Sequence, residues 1–300
     1  MSLLFSVRAA DESKKPPIAF RKKSLDKLGL IAGQGKLPFL VARGARAAGL
    51  TVVCVGLRDQ ADDNLKTEVD QFHWAGVARP GSWIRLLRRA GVTRTIMVGR
   101  VAKRNIYTPW RILQYLPDWR AFRIWYWRLR GRDKRNDTLL RALADELAGG
   151  GIILEDSVQY CKDHLANAGI MTHCRPSDAQ RRDIDFGWAI VKRMGDLDIG
   201  QALAVKEREV IAVEAIEGTD EMIERAGKLC RAGGWTLIKT AKPNQDRRFD
   251  VPTIGLQTIE NLHRHGAACL AVEAGQTLLL DKDQVLARAD QYHIAIVGIQ

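Results

Sequence analysis

From Leu28 onward, short apolar runs rich in β-branched residues alternate with stretches whose apolar positions recur at helical spacing. Leu28-Gly29-Leu30-Ile31-Ala32 predicts a strand ending in the Gly-rich turn Gly33-Gln34-Gly35-Lys36-Leu37-Pro38, and a helix follows through Ala48 with Gly49 as its stop. Thr51-Val52-Val53-Cys54-Val55-Gly56-Leu57 predicts a second strand and Thr95-Ile96-Met97-Val98-Gly99 another, with a helix over 82–90 before it. A helix over 137–147 and a strand over 152–154 complete the first half. Strands and helices alternating at these lengths build βαβ units, so an α/β fold is expected, with a Rossmann-like parallel-sheet domain over 27–165.

The pattern then changes. The irregular stretch Asn167-Ala168-Gly169-Ile170-Met171-Thr172-His173-Cys174-Arg175-Pro176-Ser177 is expected to lie in a hinge over 166–177. Beyond it a helix over 179–194 precedes strands over 201–205 and 210–215, split by Lys206-Glu207-Arg208-Glu209, which reads as a hairpin. Helices over 219–230, 253–265 and 283–291 alternate with strands over 236–239, 269–272, 277–280 and 294–297. Residues 178–300 are therefore expected to form a mixed α/β domain. Residues 1–26 lack periodicity, carry Pro16-Pro17 and a basic cluster, and read as a mobile arm.

Composition narrows the class. Three hundred residues suit two compact units. No stretch approaches the roughly 18 apolar residues of a spanning helix, and Leu3-Leu4-Phe5 is too short for the core of a signal peptide. The five cysteines are scattered, with no C-x-x-C pair, which excludes a disulfide framework or a thiolate zinc knuckle and suits a reducing compartment. A cytoplasmic protein is expected. The net charge of +12 is local: residues 1–27 carry +4 and residues 100–135 carry +9, leaving the rest near −1.

The second basic segment contains the stretch 107–130, which holds four of the eight tryptophans. Trp119, Phe122, Trp125 or Tyr126, and Leu129 recur at helical spacing among Arg120, Arg123, Arg128 and Arg130. Such a face suits an anionic membrane surface, with rings at the headgroup level. Single-stranded nucleic acid would use the same interleaving. Plain packing on the protein, or on a second copy in a homodimer, accounts for the same spacing.

Candidate chemistry gathers at strand ends. The Gly33–Pro38 turn joins strand to helix, so its N–H groups can face an anion; a dinucleotide fingerprint would need glycine where Pro38 stands. The densest polar constellation runs from Lys239 through Lys242, Asp246, Arg247, Arg248 and Asp250 to Thr253. Phosphoryl chemistry needs that mixture, with carboxylates for a divalent ion and cations for phosphoryl oxygens; a solvated loop with internal salt bridges is the plainer reading. A second acidic cluster, Glu214, Glu217, Asp220 and Glu221, exceeds what helix capping requires, and Asp220 is a candidate to reach the same metal region as Asp250. Gln201 and Thr253 are further candidate substrate contacts. The six histidines show no metal-ligand spacing, and neither a G-x-S-x-G elbow nor a P-loop occurs.

The motifs Leu28–Pro38, Gly99-Arg100-Val101, Asn136-Asp137-Thr138-Leu139-Leu140-Arg141, Asp198-Ile199-Gly200-Gln201, Glu217-Gly218-Thr219-Asp220 and Asp250-Val251-Pro252-Thr253-Ile254-Gly255, in this order, resemble the LpxI family. Its members are UDP-2,3-diacylglucosamine pyrophosphatases of lipid A biosynthesis in Gram-negative bacteria. The resemblance implies hydrolysis of that substrate to UMP and 2,3-diacylglucosamine 1-phosphate (lipid X), with Mg²⁺, or Mn²⁺, assisting water attack at the phosphorus nearer the sugar. It implies Asp250 as the main catalytic and metal-binding carboxylate, with Asp220 second and Asp246 as a further ligand. Lys239, Lys242 and Arg248 would offset phosphoryl charge, and Gln34, Gly35, Lys36, Gly99 and Arg100 would grip substrate from the first domain, the resemblance implying a substrate cleft between the two halves. A diacylated substrate implies peripheral association with the inner membrane, and no nucleic acid is implied as partner. The stretch 107–130 is richer in aromatics and arginine than the family pattern, and the N-terminal arm matches nothing in it. Two other readings are a non-catalytic nucleotide-sugar or acyl-lipid binding protein, and an NAD(P)-dependent oxidoreductase resting on the Gly-rich turn alone.

Overall fold

The structure, a computed structural model, describes residues 26–101, 117–124, 126, 136–242 and 246–300. The expected arm, Trp125, Leu129, Arg128, Arg130 and the segment 243–245 lie outside the described residues. The first half is a parallel sheet of β1 (Lys27–Ala32), β2 (Thr51–Leu57), β3 (Gln71–Ala75), β4 (Arg94–Val98) and β5 (Ile153–Leu154), in the order β3-β2-β1-β4-β5. Its helices are α1 (Leu37–Ala47), α2 (Pro80–Arg89), α3 (Trp119–Arg123) and α4 (Asn136–Gly149). β1 and β2 are almost wholly buried because both faces of a parallel sheet are covered. Alternate residues face opposite ways: Leu28, Leu30, Val52 and Cys54 meet Leu40, Val41 and Ala45 of α1, whereas Ile31, Val53 and Val55 meet Trp83, Ile84 and Leu87 of α2 and Leu147 of α4. The sequence reading had no strand at β3. Gln71-Phe72-His73-Trp74-Ala75 sits at a sheet edge, where polar and aromatic residues replace the β-branched run that marks a central strand.

The second half contains β6 (Gly169–Ile170), α5 (Asp178–Asp196), β7 (Ala202–Lys206), β8 (Glu209–Val213), α6 (Thr219–Leu229), β9 (Trp235–Lys239), β10 (Thr253–Ile254), α7 (Leu256–Arg264), β11 (Ala267–Glu273), β12 (Leu278–Leu279), α8 (Lys282–Gln291) and β13 (Ala295–Ile299). The main sheet runs β6-β13-β11-β9-β7-β8, parallel from β13 to β9 and antiparallel at both edges. The expected hairpin is β7–β8, turning through Glu207 and Arg208, both at positive φ (54° and 60°), as a tight two-residue turn demands. Two expectations shift. The helix expected from 253 starts at Leu256, because Thr253 and Ile254 form β10 and pair in parallel with β12. Within the expected hinge, β6 pairs with β13, and the Ile296 amide donates to Thr172 Oγ1 (2.9 Å), stitching that stretch to the second sheet.

The loop 246–252 joins the halves. Val251 and Leu278 belong to the same buried cluster as Leu28, Leu40, Val98 and Val158, and Phe249 packs on the opposite face of the first sheet. Ser157 Oγ donates to the Arg247 carbonyl (2.6 Å), and Arg247 Nε lies 3.1 Å from Asp156 Oδ2. Lys36 pairs with Asp281 across the same boundary.

Asp118 fastens α3 to α2 by accepting from the Ala121 amide (2.9 Å) and from the Gly81 amide in the first turn of α2 (2.7 Å). Arg120 and Arg123 both donate to Glu146 of α4, each at 2.5 Å, and the Glu146 side chain is only 2% exposed. Burial pushes its carboxyl up, but the hydrogen bonds and charges of Arg123 and Arg120 outweigh burial and hold it below the ordinary value. A depressed carboxyl stabilises the fold fully above its unfolded value near 4.5 and ceases to do so as pH falls through the folded value. Glu146→Gln should therefore cost about 1–2 kcal/mol at neutral pH and flatten the acid limb of stability below pH 4.5. Urea unfolding across pH checks this; equal stability at pH 7 with an unchanged acid limb would contradict it.

Candidate active site

β9 is buried along its whole length and carries Lys239 to its carboxyl end, where the side chain is 7% exposed. A buried ammonium needs partners. Lys239 Nζ donates to Thr219 Oγ1 (3.1 Å) and to the Thr253 carbonyl (3.4 Å). Thr219 Oγ1 in turn donates to Glu214 Oε1 (2.8 Å), whose other oxygen accepts from the Gln201 amide (3.3 Å). Burial drives the Lys239 amine below its ordinary value, against the fields of Glu214, Asp220 and Asp250, which favour its charged form. The ends of β8 and β9, the first turn of α6 and the strand β10 thus bring Lys239, Thr219, Glu214, Thr253, Asp220 and Asp250 to one place. Asp220 accepts from Asn261 Nδ2 at 3.1 Å. Gln201 Oε1 is buried with no hydrogen-bond partner among the described residues, an acceptor awaiting a donor.

Beside this cluster lies a cavity of about 260 Å³ lined by Lys192, Lys242, Arg247, Asp250, Glu273 and Gln276. Lys242 Nζ sits 2.6 Å from Asp198 Oδ1, and Lys192 Nζ 2.7 Å from Glu273 Oε2, which also accepts from the Ala241 amide (2.9 Å). Arg247 Nη1 donates to Gln276 Oε1 at 3.1 Å. Lys192, Glu273 and Gln276 were not anticipated. Lys192 looks like the solvated side of an amphipathic helix; only Glu273, at the carboxyl end of β11, carries a positional signal.

In the first half, the turns after β1 and β4 meet where the strand order reverses, the crevice in which open α/β sheets receive ligands. Gln34 and Arg100 exchange backbone hydrogen bonds (2.8 and 3.0 Å). A Cβ at Gly33 would lie 2.6 Å from the Arg100 carbonyl, and Gly99 takes φ +97°, so the close approach requires glycine at both positions. Gln34, Gly35, Lys36, Gly99 and Arg100 therefore share one end of the sheet, although the Lys36 ammonium is already paired with Asp281.

Asp246 and Arg248 behave otherwise than their residue types suggest. Arg248 Nε and Nη2 engage both oxygens of Asp246 (2.9 and 2.6 Å), and that hydrogen bonding holds the Asp246 carboxyl below its usual range. This local pair occupies the carboxylate expected to bind metal and the guanidinium expected to meet phosphate, while Arg247 faces the cavity instead. Among the described residues no group of three or more His, Cys, Asp or Glu could hold a metal ion. Mg²⁺ commonly takes only one or two carboxylates together with substrate phosphates and water. Asp220 and Asp250, the two carboxylates expected to meet such an ion, both act on Lys239.

Two family models match the chain: the LpxI N-terminal domain over residues 27–164 and the LpxI C-terminal domain over 167–297. A protein of Caulobacter vibrioides named UDP-2,3-diacylglucosamine pyrophosphatase LpxI is 33% identical over 283 residues, covering 91% of this chain and 97% of its own. The Gly-rich turns, the buried lysine and the aspartate-bearing loop all fall inside those matched segments, and the chain belongs to the LpxI family.

Proposed function

We propose that this chain hydrolyses the diphosphate of UDP-2,3-diacylglucosamine, releasing UMP and 2,3-diacylglucosamine 1-phosphate. The observation that carries the reading is the Lys192, Lys242 and Arg247 cavity beside the Lys239, Asp220 and Asp250 cluster. Its cations and carboxylates fit a diphosphate shared with a divalent ion. The relative from Caulobacter vibrioides bears the name of this activity. About 260 Å³ is smaller than a typical pocket for a whole ligand of this size. The cavity therefore takes the diphosphate and its immediate neighbours, and the turns at Gln34–Lys36 and Gly99–Arg100 hold the nucleotide from the first half.

Asp250 and Asp220 would hold Mg²⁺ or Mn²⁺, which when bound supplies positive charge to the phosphoryl oxygens and lowers the pKa of water. Lys242 and Arg247 neutralise charge on the equatorial oxygens, and Lys192, which also lines the cavity, adds to that field. Lys239 keeps the two carboxylates in place from beneath. Gln201 Oε1, lacking a partner, accepts a hydrogen bond from a substrate hydroxyl or amide. Water adds to the phosphorus nearer the sugar, the bond from that phosphorus to the bridging oxygen breaks, and UMP leaves with the bridging oxygen. The acyl chains place the reaction at the cytoplasmic surface of a bilayer.

Purified protein incubated with detergent-dispersed UDP-2,3-diacylglucosamine should release UMP, and EDTA should stop release until Mg²⁺ or Mn²⁺ is restored. Asp250→Asn should lower kcat at least about a hundredfold, with Asp220→Asn showing a similar or smaller loss. In ¹⁸O-water the label should appear in the lipid phosphate. Absence of UMP removes the hydrolase reading, indifference to EDTA removes the metal, and label in UMP removes attack at the sugar-side phosphorus.

A further inference from the structure

The surface built by α2 and α3 plays no part in the cavity chemistry. Arg85, Arg88 and Arg89 lie on one exposed face of α2, at the spacing that stacks side chains along a helix. None of the three has a carboxylate partner among the described residues. They border a groove of about 700 Å³ lined on the α3 side by Asp118, Trp119 and Arg120. Trp119, Phe122 and Tyr126 are 70%, 44% and 41% exposed, and they stack on one another with ring centroids 5.6 Å apart at each step. Arg120, which also lines the groove, and Arg123 both reach back to Glu146. Asp118, the acid at the groove, is committed to the Gly81 and Ala121 amides. The result, among the described residues, is an aromatic ridge flanked by an arginine row that has no carboxylate partner.

We propose that this α2–α3 face docks on an anionic lipid bilayer, the ridge entering the headgroup layer and the arginine row meeting lipid phosphates. Charge complementarity chooses the occupant. A two-fold contact with a second copy would bring two arginine rows into one interface with no free carboxylate to offset them, because Asp118 is already committed. Nucleic acid needs free ring faces on which bases stack, whereas these rings already cover one another. Aromatic rings at headgroup depth beside arginines match a membrane interface, where each cation adds attraction to anionic lipid. The proposal goes beyond the hydrolase reading and does not depend on it: vesicles free of substrate test it alone.

The experiment is co-sedimentation of the full chain with phosphatidylethanolamine vesicles containing about one third phosphatidylglycerol, against phosphatidylcholine vesicles. Binding should occur to the anionic vesicles and fall away as salt rises toward about 1 M. Arg85→Gln/Arg88→Gln/Arg89→Gln should weaken it roughly a hundredfold, and Trp119→Ser/Phe122→Ser at least about tenfold, both with an unchanged thermal midpoint. Equal binding to phosphatidylcholine, wild-type partition of both variants, or a salt-dependent preference for oligonucleotide over vesicles would overturn the proposal. So would a dimer in solution that either variant converts to monomer.

Discussion

The arrangement rests on a lysine amine buried at the end of a central strand. Moving an ammonium out of water is costly, and the interior compensates only with specific partners. Lys239 obtains a hydroxyl, a carbonyl and the fields of three carboxylates. Its partners come from two stretches of chain: Glu214 after β8 with Thr219 and Asp220 opening α6, and Asp250 in the loop before β10 with Thr253 in that strand. One side chain of β9 thereby fixes how these two stretches meet the central strand.

The same loop ties that cluster to the other half of the molecule. Val251 lies in an apolar cluster with Leu28, Leu40 and Val98, and Arg247 leans on Asp156 and Ser157. Asp250 is therefore positioned by packing on the first half, although it belongs to the second. The crevice at β1 and β4 and the cavity near Lys239 are parts of one boundary, closed further by Lys36 and Asp281. A substrate with a nucleotide at one end and acylated sugar at the other matches a boundary built from two halves.

Much of this was legible in the chain because burial writes itself into composition. The β-branched runs at Leu28–Ala32 and Thr51–Leu57 are central parallel strands, and the Gly-rich turn at Gly33 follows the first of them as its sequence predicts. β3 escaped notice because an edge strand needs no continuous apolar run, and Thr253-Ile254 was absorbed into a helix because two residues are too few to show a period. Lys239, Asp220 and Asp250 stand out as charges crowded at strand and helix ends. Lys192 and Glu273 do not, since their pairing joins positions far apart in sequence. Asp246 and Arg248, two positions apart, pair with each other, a contact that residue types alone do not announce.

A double-mutant cycle on unfolding free energy tests the central claim most directly, pairing Lys239→Met with Glu214→Gln. If the buried amine and the carboxylate beneath Thr219 are one unit, removing either alone strands the other. The double variant should then be more stable than the sum of the single losses by at least about 1 kcal/mol. Additivity within about 0.5 kcal/mol would show that the two groups do not depend on each other and would contradict the account.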